Sequence, residues 1–169
     1  MSKISMITTL QNPCLDISRV KSKISNLKTR GFKIVLVTGV FDVLHAEHYL
    51  FLQAAKSAGD YLLVGVEADR RVRAMKGKGR PVYPQNTRLE NLTKLTYIDH
   101  VFLLPEKFDK TTHHDRLIGL LKPDILAISS HTSHQIEKQT IMSKHGGKLV
   151  VVHPHNPNIS STQLIQRQK

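Results

Sequence analysis

The chain predicts an α/β fold: a doubly wound parallel sheet with helices on both faces. Three observations carry that prediction. Short apolar runs alternate with stretches of helical periodicity from residue 17 onward. One run, Tyr61–Val66, is apolar almost throughout, as a parallel strand covered on both faces requires. Helix-stopping residues (Gly31, Gly59, Pro123 and the pair Gly146 and Gly147) separate the helical stretches from the strands that follow. Alternation of this kind favours right-handed crossovers and places a ligand beyond the carboxyl ends of the strands.

Taken in order, Ile17, Val20, Ile24 and Leu27 recur at helical spacing with lysines between them, and Gly31 ends that helix. Lys33–Val37 is the first strand. A helix spans His45 to Ala58, with apolar residues at 49, 50, 52, 54 and 55, and Gly59 closes it. Tyr61–Val66 is the second strand. Residues 70–84 are basic and contain Gly and Pro, so they read as a loop. Leu89, Leu92 and Leu95 mark a helix over Gln85–Thr96. Val101–Leu104, Asp124–Ile128 and Lys148–Val152 are strands, separated by helices over His114–Leu121 and Ser133–His145. A short helix over Ser161–Gln168 follows, capped by Ser160 or Ser161. No internal repeat or low-complexity tract interrupts the pattern.

A chain of 169 residues suits one domain, 1–169, with a helical extension over 1–31 and an α/β core over 32–169. The longest apolar stretches run to about seven residues, too short to span a bilayer. Met1–Leu10 lacks the continuous apolar core of a signal peptide. Cys14 has no partner for an internal disulfide, which fits a reducing cytoplasm. The formal charge is +12, concentrated in Lys21–Lys33 and Arg70–Arg80. Such an excess suits nucleic acid or a small polyanion. With 5% aromatic residues and no Trp there is no evident stacking platform for single strands, so the small polyanion is favoured.

The most informative segment is Thr38-Gly-Val-Phe-Asp-Val-Leu-His-Ala-Glu-His48. A strand ends in a Gly turn and a helix opens on two histidines. Gly39 lets backbone N–H groups approach phosphate without a Cβ in the way. The start of the helix adds its positive dipole end and free N–H groups. His45 and His48, three apart, lie on one face of the first turn and can bind phosphate oxygens together. Asp42 suits fixing the turn through backbone hydrogen bonds. Met75-Lys-Gly-Lys-Gly-Arg-Pro-Val82 supplies Lys76, Lys78 and Arg80, which read either as phosphate ligands or as a solvated loop. Arg88 stands at a helix start, where the dipole disfavours it, which leans toward an anion-binding role. Asn158–Ile165 carries Ser160, Ser161 and Thr162, hydroxyls suited to capping a helix or holding an anion. His131 and His134 follow a strand and stand as candidate acceptor ligands. No histidine pair sits at i, i+4 with a carboxylate, so no metal site built from protein side chains is expected.

Residues 38–48 resemble the nucleotidyltransferase superfamily, a Rossmann-like, cytidylyltransferase-like group with the signature G-x-F-D-x-x-H-x-G-H. Gly39, Phe41, Asp42, His45 and His48 match, while Glu47 stands where the family has Gly. The basic loop resembles the family's K-G-x-x-R-P-V stretch, Arg88 its next helix start, and residues 159–165 its I-S-S/T-T-x-I segment. Over residues 15–167 the chain looks most like the heptose-1-phosphate adenylyltransferases, with glycerol-3-phosphate cytidylyltransferases and FAD synthases as relatives in frame. It departs at Ile128–His134, where the heptose enzymes carry K-G-x-D-Y.

The resemblance implies transfer of a nucleoside monophosphate from ATP or CTP to a small phosphorylated acceptor, with Mg2+ accompanying the nucleotide and pyrophosphate leaving. It implies His45, His48, Lys76 and Arg80 as catalytic residues. Thr38, Gly39, Val40, Phe41, Asp42, Arg88, Ser160, Ser161 and Thr162 join the two histidines in nucleotide binding, and Lys78, His131 and His134 would meet the acceptor. It also suggests a homodimer, without membrane or nucleic acid. Glu47 would repel the nucleotide, bind magnesium or point away, and a chain disabled there would be a non-catalytic nucleotide binder.

Overall fold

A computed structural model of the chain describes residues 17–154, 156 and 165. The strands are β1 (Ile34–Gly39), β2 (Tyr61–Val66), β3 (His100–Leu103), β4 (Ile125–Ser129) and β5 (Lys148–His153). Their helices are α1 (Ile17–Thr29), α2 (Ala46–Ser57), α3 (Asp69–Lys76), α4 (Gln85–Thr93), α5 (Thr111–Leu121) and α6 (Gln135–Lys144). All strand pairs are parallel, in the order β3-β2-β1-β4-β5. The chain builds outward from β1 to β3, then returns to lay β4 on the other side of β1. The gap beyond β1 and β4 is therefore the topological switch point, where open parallel sheets bind ligands.

Two apolar layers sandwich the sheet. Val20, Ile24 and Leu27 of α1, with Leu117, Ile118 and Leu121 of α5 and Ile141 and Met142 of α6, cover one face. Leu52 and Ala55 of α2, with Leu89 and Leu92 of α4, cover the other. Every residue of β2 is buried, in keeping with its unbroken apolar run. The apolar stripe of α1 is the one its spacing predicts, and its end is pinned where Lys28 Nζ donates to the Asp124 carboxylate at 2.9 Å.

The predicted elements appear with bounds within three residues of those expected, β2 with both ends exact, except at the basic segment. Residues 70–84 do not form one loop: α3 occupies the first half. Its only buried side chain is Val72, so no apolar stripe announced it. The helix is supported instead by Asp69 in its first turn and by Arg73 and Lys76 in its last, each complementing the dipole. Gly77 ends it at φ 86°, a left-handed value natural to glycine. The expected C-terminal helix lies almost wholly outside the described residues.

Candidate active site

A cleft of about 350 Å³ opens at the switch point. Its first wall is the turn that leaves β1. Phe41 takes a left-handed backbone, φ 49°, and its ring folds back over Gly39. A Cβ on Gly39 would lie 2.8 Å from that ring, so the glycine is required by close approach of Phe41. Glycine at 39 thus serves the packing of the turn as well as access to its backbone. The buried Phe41 ring also meets the His48 ring, with centroids 5.6 Å apart.

His45 is the N-cap of α2, in extended conformation, and no side chain caps that helix start. Its positive end and first N–H groups are left for a ligand. The His45 and His48 rings stack with centroids 3.9 Å apart. Both Nδ1 atoms are buried without a hydrogen-bond partner among the described residues. Burial holds the His48 pKa down at about 4, with the His45 charge pushing the same way and Glu47 opposing. His45 is shifted downward for the same main reason. Both imidazoles are neutral at pH 7 in the unliganded protein. Buried polar groups lacking partners carry a free-energy penalty.

Asp42 fixes the second wall. Its carboxylate accepts the Val82 and Tyr83 N–H groups, each at 2.9 Å, and Arg80 Nε at 2.9 Å. Because Asp42 is buried, this is a strong tether between the β1 turn and the basic segment. Arg80 and Lys76 line the cleft.

Arg88 departs from its expected role as a nucleotide ligand. It is fully buried and does not line the cleft. Its guanidinium donates to the carbonyls of Tyr83 (3.1 Å), Val40 (2.5 Å) and Glu67 (2.7 Å) and to the Asp69 carboxylate (2.9 Å). One planar fork therefore ties together the β1 turn, the end of β2, the start of α3 and the basic segment. Arg88 shapes the site from beneath.

The remaining expected residues divide. Thr38, Gly39, Val40, Phe41, Asp42, His45, His48 and His131 line the cleft. His131 Nδ1 lies 2.8 Å from Ser129 Oγ. Lys78 and His134 are exposed and are not among the residues that line it. Ser160, Ser161 and Thr162 lie outside the described residues.

Sequence reasoning missed one wall of the cleft and the partner of Glu47. The cleft is also walled by Phe108, His114, Ile141 and Lys138, from α5, α6 and the segment before α5. His114 stacks on Phe108, with centroids 4.1 Å apart, and burial brings its pKa down to about 4. The adjacent His113 and His114 were the only hint in the sequence. Glu47 does not point away: it lines the cleft and its Oε2 lies 2.8 Å from Nε2 of His153, at the end of β5.

A parallel sheet with an uncapped helix start and paired imidazoles at its switch point gives an α/β domain whose cleft suits an anionic ligand. A sequence model of the family described as cytidylyltransferase-like matches residues 36–167, and the chain belongs to that family. The chain is 34% identical over 151 residues to the bifunctional protein HldE of Desulfatibacillum aliphaticivorans, covering 89% of this chain and 30% of that protein. It thus spans about a third of the length of the curated relatives it matches. The lipopolysaccharide core biosynthesis protein of Thermoplasma volcanium superposes with a TM-score of 0.60 at 30% identity, over 73% of this chain and 96% of that one. Pantothenate synthetase from Thermus thermophilus, at 12% identity and a TM-score of 0.53, covering 83% of this chain and 65% of its own, shares the fold. No described helix is long and apolar enough to cross a membrane.

Proposed function

We propose that this domain transfers a nucleoside monophosphate from ATP or CTP to a small phosphorylated acceptor, a sugar phosphate such as heptose 1-phosphate. A phosphate oxygen of the acceptor attacks the α-phosphorus in line. The new P–O bond forms as the bond to the β-phosphate oxygen breaks, and pyrophosphate leaves with the electron pair. The acceptor oxygen is already anionic, so catalysis is positioning and charge stabilisation rather than base chemistry.

The stacked His45–His48 pair at the uncapped start of α2 is the observation that carries this reading. The two rings would bind phosphate oxygens as charge moves toward the leaving group. Lys76 and Arg80 approach from the β2 side and would neutralise the phosphates. Ser160, Ser161 and Thr162 are proposed to bind the nucleotide, Ser161 and Thr162 holding the leaving pyrophosphate. Among the described residues no group of three or more His, Cys, Asp or Glu is placed to hold a metal. A cation carried in by phosphate oxygens and water suits that donor set better than a protein-held one. Magnesium bound in this way supplies charge neutralisation on the triphosphate. A cytoplasmic setting fits the lone Cys14.

The test is pyrophosphate release from ATP and CTP with Mg2+ and a panel of heptose 1-phosphate, glycerol 3-phosphate and FMN. Release with one pair names nucleotide and acceptor together. Tight nucleotide binding with no release for any pair would replace this reading with a non-catalytic nucleotide binder.

A further inference from the structure

We propose that Glu47, held in place by His153, reads the ribose hydroxyls of the bound nucleotide and makes the site selective for ribonucleotides. The proposal rests on the nucleotidyl-transfer reading and concerns a side chain where the family signature has none.

The geometry is specific. Glu47 is the second residue of α2, between the two stacked imidazoles in sequence, and His153 is the last residue of β5. Their side chains are 18% and 16% exposed, both line the cleft, and Nε2 and Oε2 meet at 2.8 Å. The contact joins residues 106 apart in sequence. The imidazole occupies Oε2 alone; Oε1 has no hydrogen-bond partner among the described residues. Glu47 is thus a fixed carboxylate with one acceptor oxygen to spare, beside the phosphate seat.

A carboxylate in that place repels phosphate, so it is tolerable when it meets donors. A nucleoside triphosphate carries few donors near its phosphates: the 2′ and 3′ hydroxyls of the ribose. The layout of the cleft favours the same assignment. Lys76 and Arg80 reach in from the β2 side, where anions gather. Ile128, Ser129, His131 and Thr132 line the β4 side, and the one cation there among the described residues, Lys138 of α6, already donates to the Ser133 carbonyl at 3.0 Å. The uncharged nucleoside fits the β4 and β5 side, which is where Glu47 and His153 stand. Asp42, the other acidic residue lining the cleft, is committed to Val82, Tyr83 and Arg80 and cannot do this work.

The experiment is calorimetric binding of ATP and CTP, their 2′-deoxy and 3′-deoxy forms, and inorganic tripolyphosphate. It is run on the unmodified protein and on Glu47→Gly, Glu47→Gln, His153→Ala and His153→Gln, in Mg2+ and again in EDTA. A hydrogen bond to a charged group predicts that at least one deoxy form binds about 10- to 100-fold more weakly than the ribonucleotide. Glu47→Gly should abolish that preference while tripolyphosphate binds as well as before or better. Glu47→Gln, near in size, should keep only part of it. His153→Ala should weaken the preference and His153→Gln, which still donates, should restore it, as expected of a positioning residue.

Equal affinity for ribo and deoxy forms in the unmodified protein would overturn the proposal, as would a preference that survives Glu47→Gly. A Glu47 effect present in Mg2+ and lost in EDTA would make the residue a metal ligand instead. Failure of every nucleotide and of tripolyphosphate to bind would overturn the nucleotidyl-transfer reading itself, and this proposal with it.

Discussion

Two histidine pairs follow two neighbouring strands, each pair three residues apart, and they end in different places. His45 and His48 follow β1 and stack in the cleft. His131 and His134 follow β4, yet only His131 lines the cleft, while His134 is exposed. The difference is where the helix begins. His45 is itself the N-cap of α2, so His48 lies one turn further on, over the same face. His134 is the N-cap of α6, so His131 precedes the helix and the three-residue spacing carries no geometric meaning. The footing differs too. Asp42 and Arg88 clamp the first loop from below, whereas Gln135 supports the second by donating to Ser130 and Thr132 carbonyls at 2.9 and 3.0 Å.

The largest expected effect removes the footing of the first pair. Arg88→Met keeps the bulk but strands three carbonyls and the Asp69 carboxylate. Breaking a buried charged network of this kind should cost about 3–5 kcal/mol of unfolding free energy. Denaturant melts would measure it, and a loss below about 1 kcal/mol would show that the clamp is dispensable. Next comes the pair itself. His48→Ala should lower the rate of pyrophosphate release by roughly 10²–10³ with the fold intact. Near-full activity would remove His48 from the catalytic assignment.

Acidity tests the same pair in the unliganded protein. The folded His48 pKa lies at about 4 against 6.5 for the unperturbed group. Between those values the unfolded chain binds more protons than the folded one, so stability rises with pH across that window and is lost as pH falls through it. The His48 contribution is at most about 3 kcal/mol for a shift of this size. His114 acts in the same direction, while Glu67, pushed up to about 7 by burial, acts in the opposite one. The informative quantity is therefore the difference between the unmodified protein and His48→Gln. The variant should lose less stability between pH 6.5 and 4.5, and parallel curves would contradict the buried, neutral imidazole.

In the second pair, His131→Ala removes one hydrogen-bonding group from the cleft wall. A loss of about 1 kcal/mol predicts a rise in KM of roughly fivefold for one substrate, with kcat little changed. The substrate affected would show which part of the reaction that wall serves; an unchanged KM for both would leave the residue without a role.

The contrast also explains what could be read from the sequence. The β1–turn–α2 unit was legible because its signals are local: an apolar run, a glycine, and a histidine spacing that fell inside the helix. Asp42 was legible as a backbone tether, though its partners at 82 and 83 were not. Arg88 was misread because its position at a helix start is a local fact, whereas its burial depends on where β2 and the β1 turn arrive. Helix α3 stayed hidden because one buried valine makes no periodic pattern. Glu47 was conspicuous, but its state depended on a histidine more than a hundred residues away. Short-range periodicity cannot report contacts that the sheet order creates.

The smallest expected effect isolates the backbone. Each loop holds one non-glycine residue with left-handed geometry: Phe41 at φ 49° in the first and His134 at φ 57° in the second. That geometry costs an ordinary residue roughly 1 kcal/mol. Glycine would relieve it at either position, but with different results. At 41 the ring packs on Gly39 and against His48, so Phe41→Gly loses buried contacts worth about 3–5 kcal/mol and opens the turn. At 134 the side chain is exposed and lies 3.6 Å from the Glu137 carboxylate. There the relief is offset by the greater chain entropy of unfolded glycine, and His134→Gly should change stability by no more than about 0.5 kcal/mol. Pyrophosphate release should stay within about twofold, because the removed imidazole does not line the cleft. A tenfold fall in release, with stability unchanged, would mean that α6 swings His134 inward during the reaction and that the two pairs differ less than the resting structure suggests.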